Sequence, residues 1–174
     1  SAMAESQIYF EDLEEGMELP EKSWGPITTV DMVRFGSAVD SYGKLHQDYF
    51  WCIEHGFQDI LISGPMKQAL LSSWLDQIAG DSGFVKKMSV QHRGMDYVDK
   101  RILTASGKVT SINEQSGLGY VECDIKLANS DGQVTCPGRA TIIFPKRGSG
   151  PVPVEYDTPP ELAAFIEQIL GAKE

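Results

Sequence analysis

The chain has 174 residues, 41% of them apolar and 23% charged, a composition that suits one globular domain with at most a short appendage and excludes a disordered or fibrous chain. At this length roughly two-thirds of the unfolded surface is buried on folding, so a hydrophobic core is expected without disulfide or metal staples. The 25 acidic and 15 basic residues give a formal net charge of -10, which argues against nucleic acid and anionic membrane as partners but leaves room for a small anion held by a local basic cluster.

Residues 1–7 read as a tag remnant and N-terminal tail, and the acidic, Gly- and Pro-containing lead-in that follows holds a short strand near Gly16–Leu19. Thr28 and Thr29 are N-cap residues for a helix running to Ala38. The polar loop 40–47, DSYGKLHQ, carries Asp40 and His46; Asp48 then caps a second short helix that Gly56 closes. His55 sits at that helix's C-terminal end, where the dipole favours it. A short apolar piece, Ile60–Ile62, leads to Gly64-Pro65, with proline placed where a helix begins. From there Met66, Leu70, Leu71, Trp74, Leu75 and Ile78 form one apolar stripe that ends at Gly80.

A helix this apolar calls for a broad cover, and the stretch from Phe84 to Phe144 supplies a sheet. Residues 101–112 are rich in Ile, Thr and Val; residues 119–128 alternate, with Val121, Cys123, Ile125 and Leu127 on one face and Glu122, Asp124 and Lys126 on the other. Asn129-Ser130-Asp131-Gly132 is a hairpin turn, and Ala140–Phe144 a last buried strand. His92 and Arg93 fall in a strand on this reading. Residues 146–157 form a Gly/Pro-rich linker, and Thr158-Pro159-Pro160-Glu161 opens a C-terminal helix over 158–174. The fold class is α+β, an antiparallel sheet folded around one long helix. Cys52, Cys123 and Cys136 form no CxxC pair or zinc spacing; their odd number suggests reduced thiols and a cytoplasmic protein. No apolar run approaches the ~20 residues of a membrane span, no signal-peptide pattern opens the chain, and nothing points to a metal site.

The span Phe35–Met66, FGSAVDSYGKLHQDYFWCIEHGFQDILISGPM, resembles the signature region of the MaoC-like dehydratases, the (R)-specific enoyl-CoA hydratases. The matching pieces are Asp40, Leu45-His46, Asp48, Gly56-Phe57 and Ser63-Gly64-Pro65-Met66, with Leu103–Val109 similar to the family's strand after the helix. The resemblance covers residues 8–145 and implies a hot-dog fold, a curved antiparallel sheet wrapped around a long central helix. It also implies hydration or dehydration of a fatty or steroid-type acyl-CoA. Asp40 and His46 would hold and activate water, and the Gly64 N–H would bind the thioester oxygen at a helix N-terminus, with Met66 as a further donor. The family pattern sets the histidine five positions after the aspartate; here the separation is six. Either Gly43 absorbs an extra loop residue, which keeps the chemistry and is the preferred reading, or Ser41 occupies the aspartate's place, which abolishes it.

Tyr42, Ser63 and Met66 are candidate substrate contacts, Tyr42 equally a shield for the loop. Coenzyme A enters as part of the substrate, with no separate cofactor, and its phosphates call for a local basic cluster. Lys86, Lys87 and Arg93, in a stretch that also holds Lys100, Arg101 and Lys108, are the candidates, with an ordinary solvated sheet face as the even alternative. Phe84 and Val85 are alternatives for closing an acyl pocket. A homodimer or a heterodimer with another hot-dog chain is implied. Two further readings remain: a hot-dog thioesterase, and a non-catalytic partner subunit of a hydratase.

Overall fold

A computed structural model describes residues 7–153, together with residues 164, 165 and 168. The helix expected over 158–174 therefore lies outside the described residues, apart from those three helical positions. The helices begin where the capping chemistry places them. Thr28 caps α1 (Thr29–Ala38): its hydroxyl accepts from the Asp31 N–H, while the Asp31 carboxylate accepts from the Thr28 N–H. Asp48 caps α2 (Tyr49–Glu54) by accepting from the Trp51 N–H at 3.0 Å. Ser63 caps α3 (Gly64–Ala79), the long central helix, by accepting from the Met66 N–H at 3.3 Å.

The strands are β1 (Lys22–Trp24), β2 (Phe84–Val90), β3 (Leu103–Gln115), β4 (Leu118–Asn129) and β5 (Val134–Phe144). They form one antiparallel sheet in the order β1-β3-β4-β5-β2. Each of the three longer pairings carries a register shift, between Val109 and Ser111, between Leu127 and Ala128, and between Val85 and Lys87. Such bulges bend the strands and let the sheet curl. The alternation along β4 is as the sequence predicts: Val121, Cys123, Ile125 and Leu127 are buried, while Glu122, Asp124 and Lys126 are exposed.

The helix α3 lies in the curl. Leu71, Trp74, Leu75 and Ile78 pack into one core with Leu103, Ala105, Val109, Val121, Ile125, Leu127, Ile142 and Phe144. Trp74 can lie against β3 because the strand has a glycine beneath it: a Cβ at Gly107 would come 3.0 Å from the indole ring. The indole N–H still finds an acceptor, the Pro20 carbonyl at 2.8 Å.

Three expectations need amendment. The strand expected near Gly16–Leu19 reduces to one bridge, Glu18 to Lys108, and the first full strand starts at Lys22. The last strand begins at Val134 rather than Ala140, because β4 offers backbone partners from Val134 to Phe144 and β2 adds its own from Gly138 to Ile143. His92 and Arg93 lie beyond the end of β2 at Val90, in an extended segment. There the Gln91 and Arg93 N–H groups donate to the Pro137 and Thr135 carbonyls at 2.9 Å each. Just after β5 the Pro145 carbonyl accepts from the Phe10 N–H, and within the expected linker the Val152 N–H donates to the Ser82 carbonyl at 2.8 Å.

Candidate active site

The N-terminus of α3 is where the structure concentrates polar groups beside a cavity. A helix leaves its first N–H groups unpaired, and here the local sequence uses up all but one. Pro65 has no N–H, the Met66 N–H is taken by the Ser63 hydroxyl, and the Lys67 N–H donates to the Ser63 carbonyl at 3.1 Å. That leaves the N–H of Gly64, with no acceptor among the described residues. Met66 is therefore not available as a second donor, and its side chain is buried in the core.

Gly64 borders a cavity of about 440 Å³ lined also by His46, Leu61, Ile62, Lys67, His92, Arg93, Gly94 and Met95. His46 ends a short 3-10 turn, Lys44–His46, and its Nδ1 lies 2.7 Å from the Leu61 carbonyl oxygen. A carbonyl only accepts, so Nδ1 carries a proton, and it is Nε2 that is left to act as the base. His46 and Gly64, two of the three residues the resemblance picks for chemistry, thus face one cavity. Asp40 does not line it: this residue is exposed, just past α1, with a left-handed φ of 52°. Ser41 does not line it either; its carbonyl accepts from the Gln47 side chain at 3.0 Å.

Of the candidate substrate contacts, Arg93 lines the cavity and also a neighbouring one of about 460 Å³ that includes Tyr97 and Arg101. Tyr42 is 61% exposed and outside both, and Ser63 is occupied as the α3 cap. Lys86 lies 4.9 Å from the ring centre of Tyr120, and Lys87 is exposed on β2. Of the six basic residues, Arg93 and Arg101 share the second cavity, and the other four stand apart. Lys108 pairs with Glu18 across the sheet from β2, Lys100 pairs with Asp59, and Arg101 pairs with Asp131 at 2.6 Å.

Two features of the site come from the structure alone. The first is His92, whose ring lies over the start of α3: a Cβ at Gly64 would sit 3.1 Å from its Nε2. The second is the buried pair beneath it. Lys67 Nζ lies 2.6 Å from Asp96 Oδ2 and donates to the Gly94 carbonyl at 2.9 Å. Asp96 also accepts from Thr135 Oγ1 at 2.6 Å and from Asn129 Nδ2 at 2.9 Å. Burial alone would push the Asp96 carboxyl up; the hydrogen bonds from Lys67, Thr135 and Asn129 outweigh it and hold the group below the ordinary carboxylate range. A signal for this pair was present in the sequence. Lys67 sits four, seven, eight and eleven positions before Leu71, Trp74, Leu75 and Ile78, on the apolar stripe itself, and a buried ammonium needs a carboxylate. Among the described residues no group of three or more His, Cys, Asp or Glu side chains is placed to hold a metal ion, and no helix is long and apolar enough to cross a membrane.

A scan against protein-family models finds no match for this chain, and a search of curated proteins finds none either. Solved structures do match. The R-hydratase PhaJ1 of Pseudomonas aeruginosa superposes with a TM-score of 0.73 at 18% identity, over 88% of this chain and 94% of that one. The MaoC-like dehydratase of Rhodospirillum rubrum gives 0.69 at 15% identity, over 84% and 99%. A chain of the ChsH1-ChsH2 complex of Mycobacterium tuberculosis gives 0.66 at 20% identity, over 75% and 98%. With a five-stranded antiparallel sheet curled around α3, the chain has the hot-dog fold that these hydratases and dehydratases share.

Proposed function

We propose that this protein is a MaoC-like hydratase, adding water across the double bond of an enoyl-CoA thioester or removing it in reverse. The observation that carries this reading is the pairing of a free imidazole nitrogen with a free helix N-terminal N–H on one cavity, His46 Nε2 and the N–H of Gly64. The chemistry follows from those two groups. Water held at His46 Nε2 gives up a proton as its oxygen bonds to the β-carbon, and the displaced electron pair moves to the thioester oxygen. The Gly64 N–H and the α3 dipole stabilise that oxyanion. The proton on His46 then passes to the α-carbon, which restores the thioester carbonyl and the neutral imidazole. Arg93, facing both cavities, is the side chain placed to take a coenzyme A phosphate. The likeness to an R-hydratase and a MaoC-like dehydratase supports this reading of substrate class.

The functional unit is proposed to be a dimer. Strand β2 is a seven-residue edge with one side of its backbone unpaired within the described sheet, long enough to add a second copy or a related hot-dog chain. One of the similar structures is itself a complex of two chains.

The test is a panel of enoyl-CoA thioesters followed at once for loss of the conjugated double bond and for release of free thiol. Double-bond loss without thiol is expected, with His46→Asn lowering kcat by about 10²–10⁴-fold as removal of a general base does. Asp40→Asn is expected to stay within about tenfold of the parent, far short of that loss, because Asp40 stands outside the cavity; asparagine also tolerates its left-handed backbone. Thiol release instead would make the protein a thioesterase. A parent that changes no enoyl-CoA would favour the partner-subunit reading, to which the position of Asp40 outside the cavity lends a specific observation.

A further inference from the structure

The oxyanion position at α3 is short of donors. Acyl-transfer and enolate-forming sites hold the developing negative charge with several N–H groups, and this helix offers one, because Pro65, the Ser63 cap and the Ser63 carbonyl remove the next three. His92 stands beside Gly64 on the same cavity. Its Nε2, Cδ2 and Cε1 are the atoms nearest Gly64, at 3.1 to 3.2 Å from a Cβ built there, and no residue but glycine at 64 admits the ring without displacing it. The other side of the ring is anchored: Nδ1 lies 3.6 Å from Cys136 Sγ.

We propose that His92 is a catalytic residue of this site, a neutral imidazole whose Nε2–H donates to the thioester oxygen beside the Gly64 N–H. This rests on the hydratase reading above. The proposal takes the tautomer in which Cys136 donates to Nδ1: the thiol is fully buried and burial pushes it up, so sulfur keeps a proton to give. With Nδ1 accepting, the ring proton sits on Nε2, in the plane of a ring whose face covers Gly64 and which lines the same cavity. The two histidines of the cavity are thereby complementary: His46 is held on a carbonyl and presents a lone pair, while His92 is held by a thiol and presents a proton. The ring is kept in place by its backbone, since the N–H groups of Gln91 and Arg93 on either side are bonded to β5. The division of labour needs no net proton transfer at His92; it polarises the carbonyl as the enolate forms and releases it as the carbonyl returns.

The experiment compares parent, His92→Phe and His92→Gln, the last restoring an N–H donor near the Nε2 position. Two readouts are taken: kcat and KM on an enoyl-CoA, and binding of acetoacetyl-CoA with the absorbance of its bound enolate. The proposal expects His92→Phe to lose about 10²–10³-fold in kcat, the loss typical of one oxyanion donor, with KM little changed. It also expects loss of the enolate band, at least tenfold weaker binding of acetoacetyl-CoA, and partial recovery of both in His92→Gln. Equal kcat and equal enolate binding in parent and His92→Phe would overturn the role of His92 while leaving the hydratase reading intact. A parent that binds acetoacetyl-CoA as its enolate yet hydrates no enoyl-CoA would sink the hydratase reading, and the ratio of binding between parent and His92→Phe would still decide for or against His92. A parent that binds no acetoacetyl-CoA would overturn both.

Discussion

Gly64 and His46 divide the work of the site at the smallest scale, one offering a backbone N–H and the other a ring nitrogen, and each owes its availability to a neighbour. Gly64 keeps its N–H free because it opens α3 and has no carbonyl a turn back to receive it, while the adjacent donors are absent at Pro65 or taken by Ser63. His46 keeps Nε2 free because the Leu61 carbonyl holds Nδ1. The cysteines illustrate the opposite case. Cys52, Cys123 and Cys136 are buried, and burial pushes all three thiols up, Cys123 to about 12 with the help of Glu122 and Asp124 beside it. None is expected to react with a disulfide reagent in the native protein at neutral pH, and all three should react once it is unfolded. Counting released thiolate before and after adding denaturant checks this; rapid native labelling of Cys123 would contradict the packing of β4.

At the scale of elements, the site exists because three pieces of chain are tied together at the head of α3. The Ile60–Ile62 stretch is bonded to 96–98 through Ile62 N–H to Asp96 carbonyl and Val98 N–H to Ile60 carbonyl, at 2.8 and 3.0 Å. Segment 91–94 hangs on β5, and Lys67 reaches from α3 to Asp96 and Gly94. Breaking this pair from one side leaves a buried charge alone, so Lys67→Met is expected to cost about 3–5 kcal/mol in chemical denaturation. The pH dependence has a definite sign. Because the folded Asp96 carboxyl is held below its ordinary value, its stabilisation is complete above that value, about 3.9, and is lost as pH falls through the folded value. Acid unfolding of the parent should therefore steepen below pH 4, and the Asp96→Asn variant, less stable at neutral pH, should show a shallower acid limb. Equal acid limbs would remove Asp96 from the account.

On the scale of the whole molecule, most of the fold was legible from residue pattern. The caps at Thr28, Asp48 and Ser63 fix where helices start, and the stripe from Met66 to Ile78 fixes which helix the sheet must cover. The alternation along β4 fixes which face does the covering. What stayed hidden depends on contacts between distant parts of the chain. His92 follows directly on the β2 pattern, and its place over Gly64, 28 positions earlier, comes from the bonds that hold 91–94 against β5. The basic residues close in sequence are scattered because β2 and β3 stand on different sides of the β4–β5 pair. The place of Asp40 is a matter of backbone conformation past α1, which spacing alone does not specify. The same topology bears on assembly: with β2 at an edge, light scattering should give twice the mass of the chain, and a strict monomer at high concentration would contradict the proposed pairing.

The most direct test of the account is a structure with a 3-hydroxyacyl-CoA bound. The account predicts the thioester oxygen within hydrogen-bond distance of the Gly64 N–H and of His92 Nε2, and the β-hydroxyl at His46 Nε2. An acyl group seated away from the head of α3, or a thioester oxygen held by other donors, would contradict it.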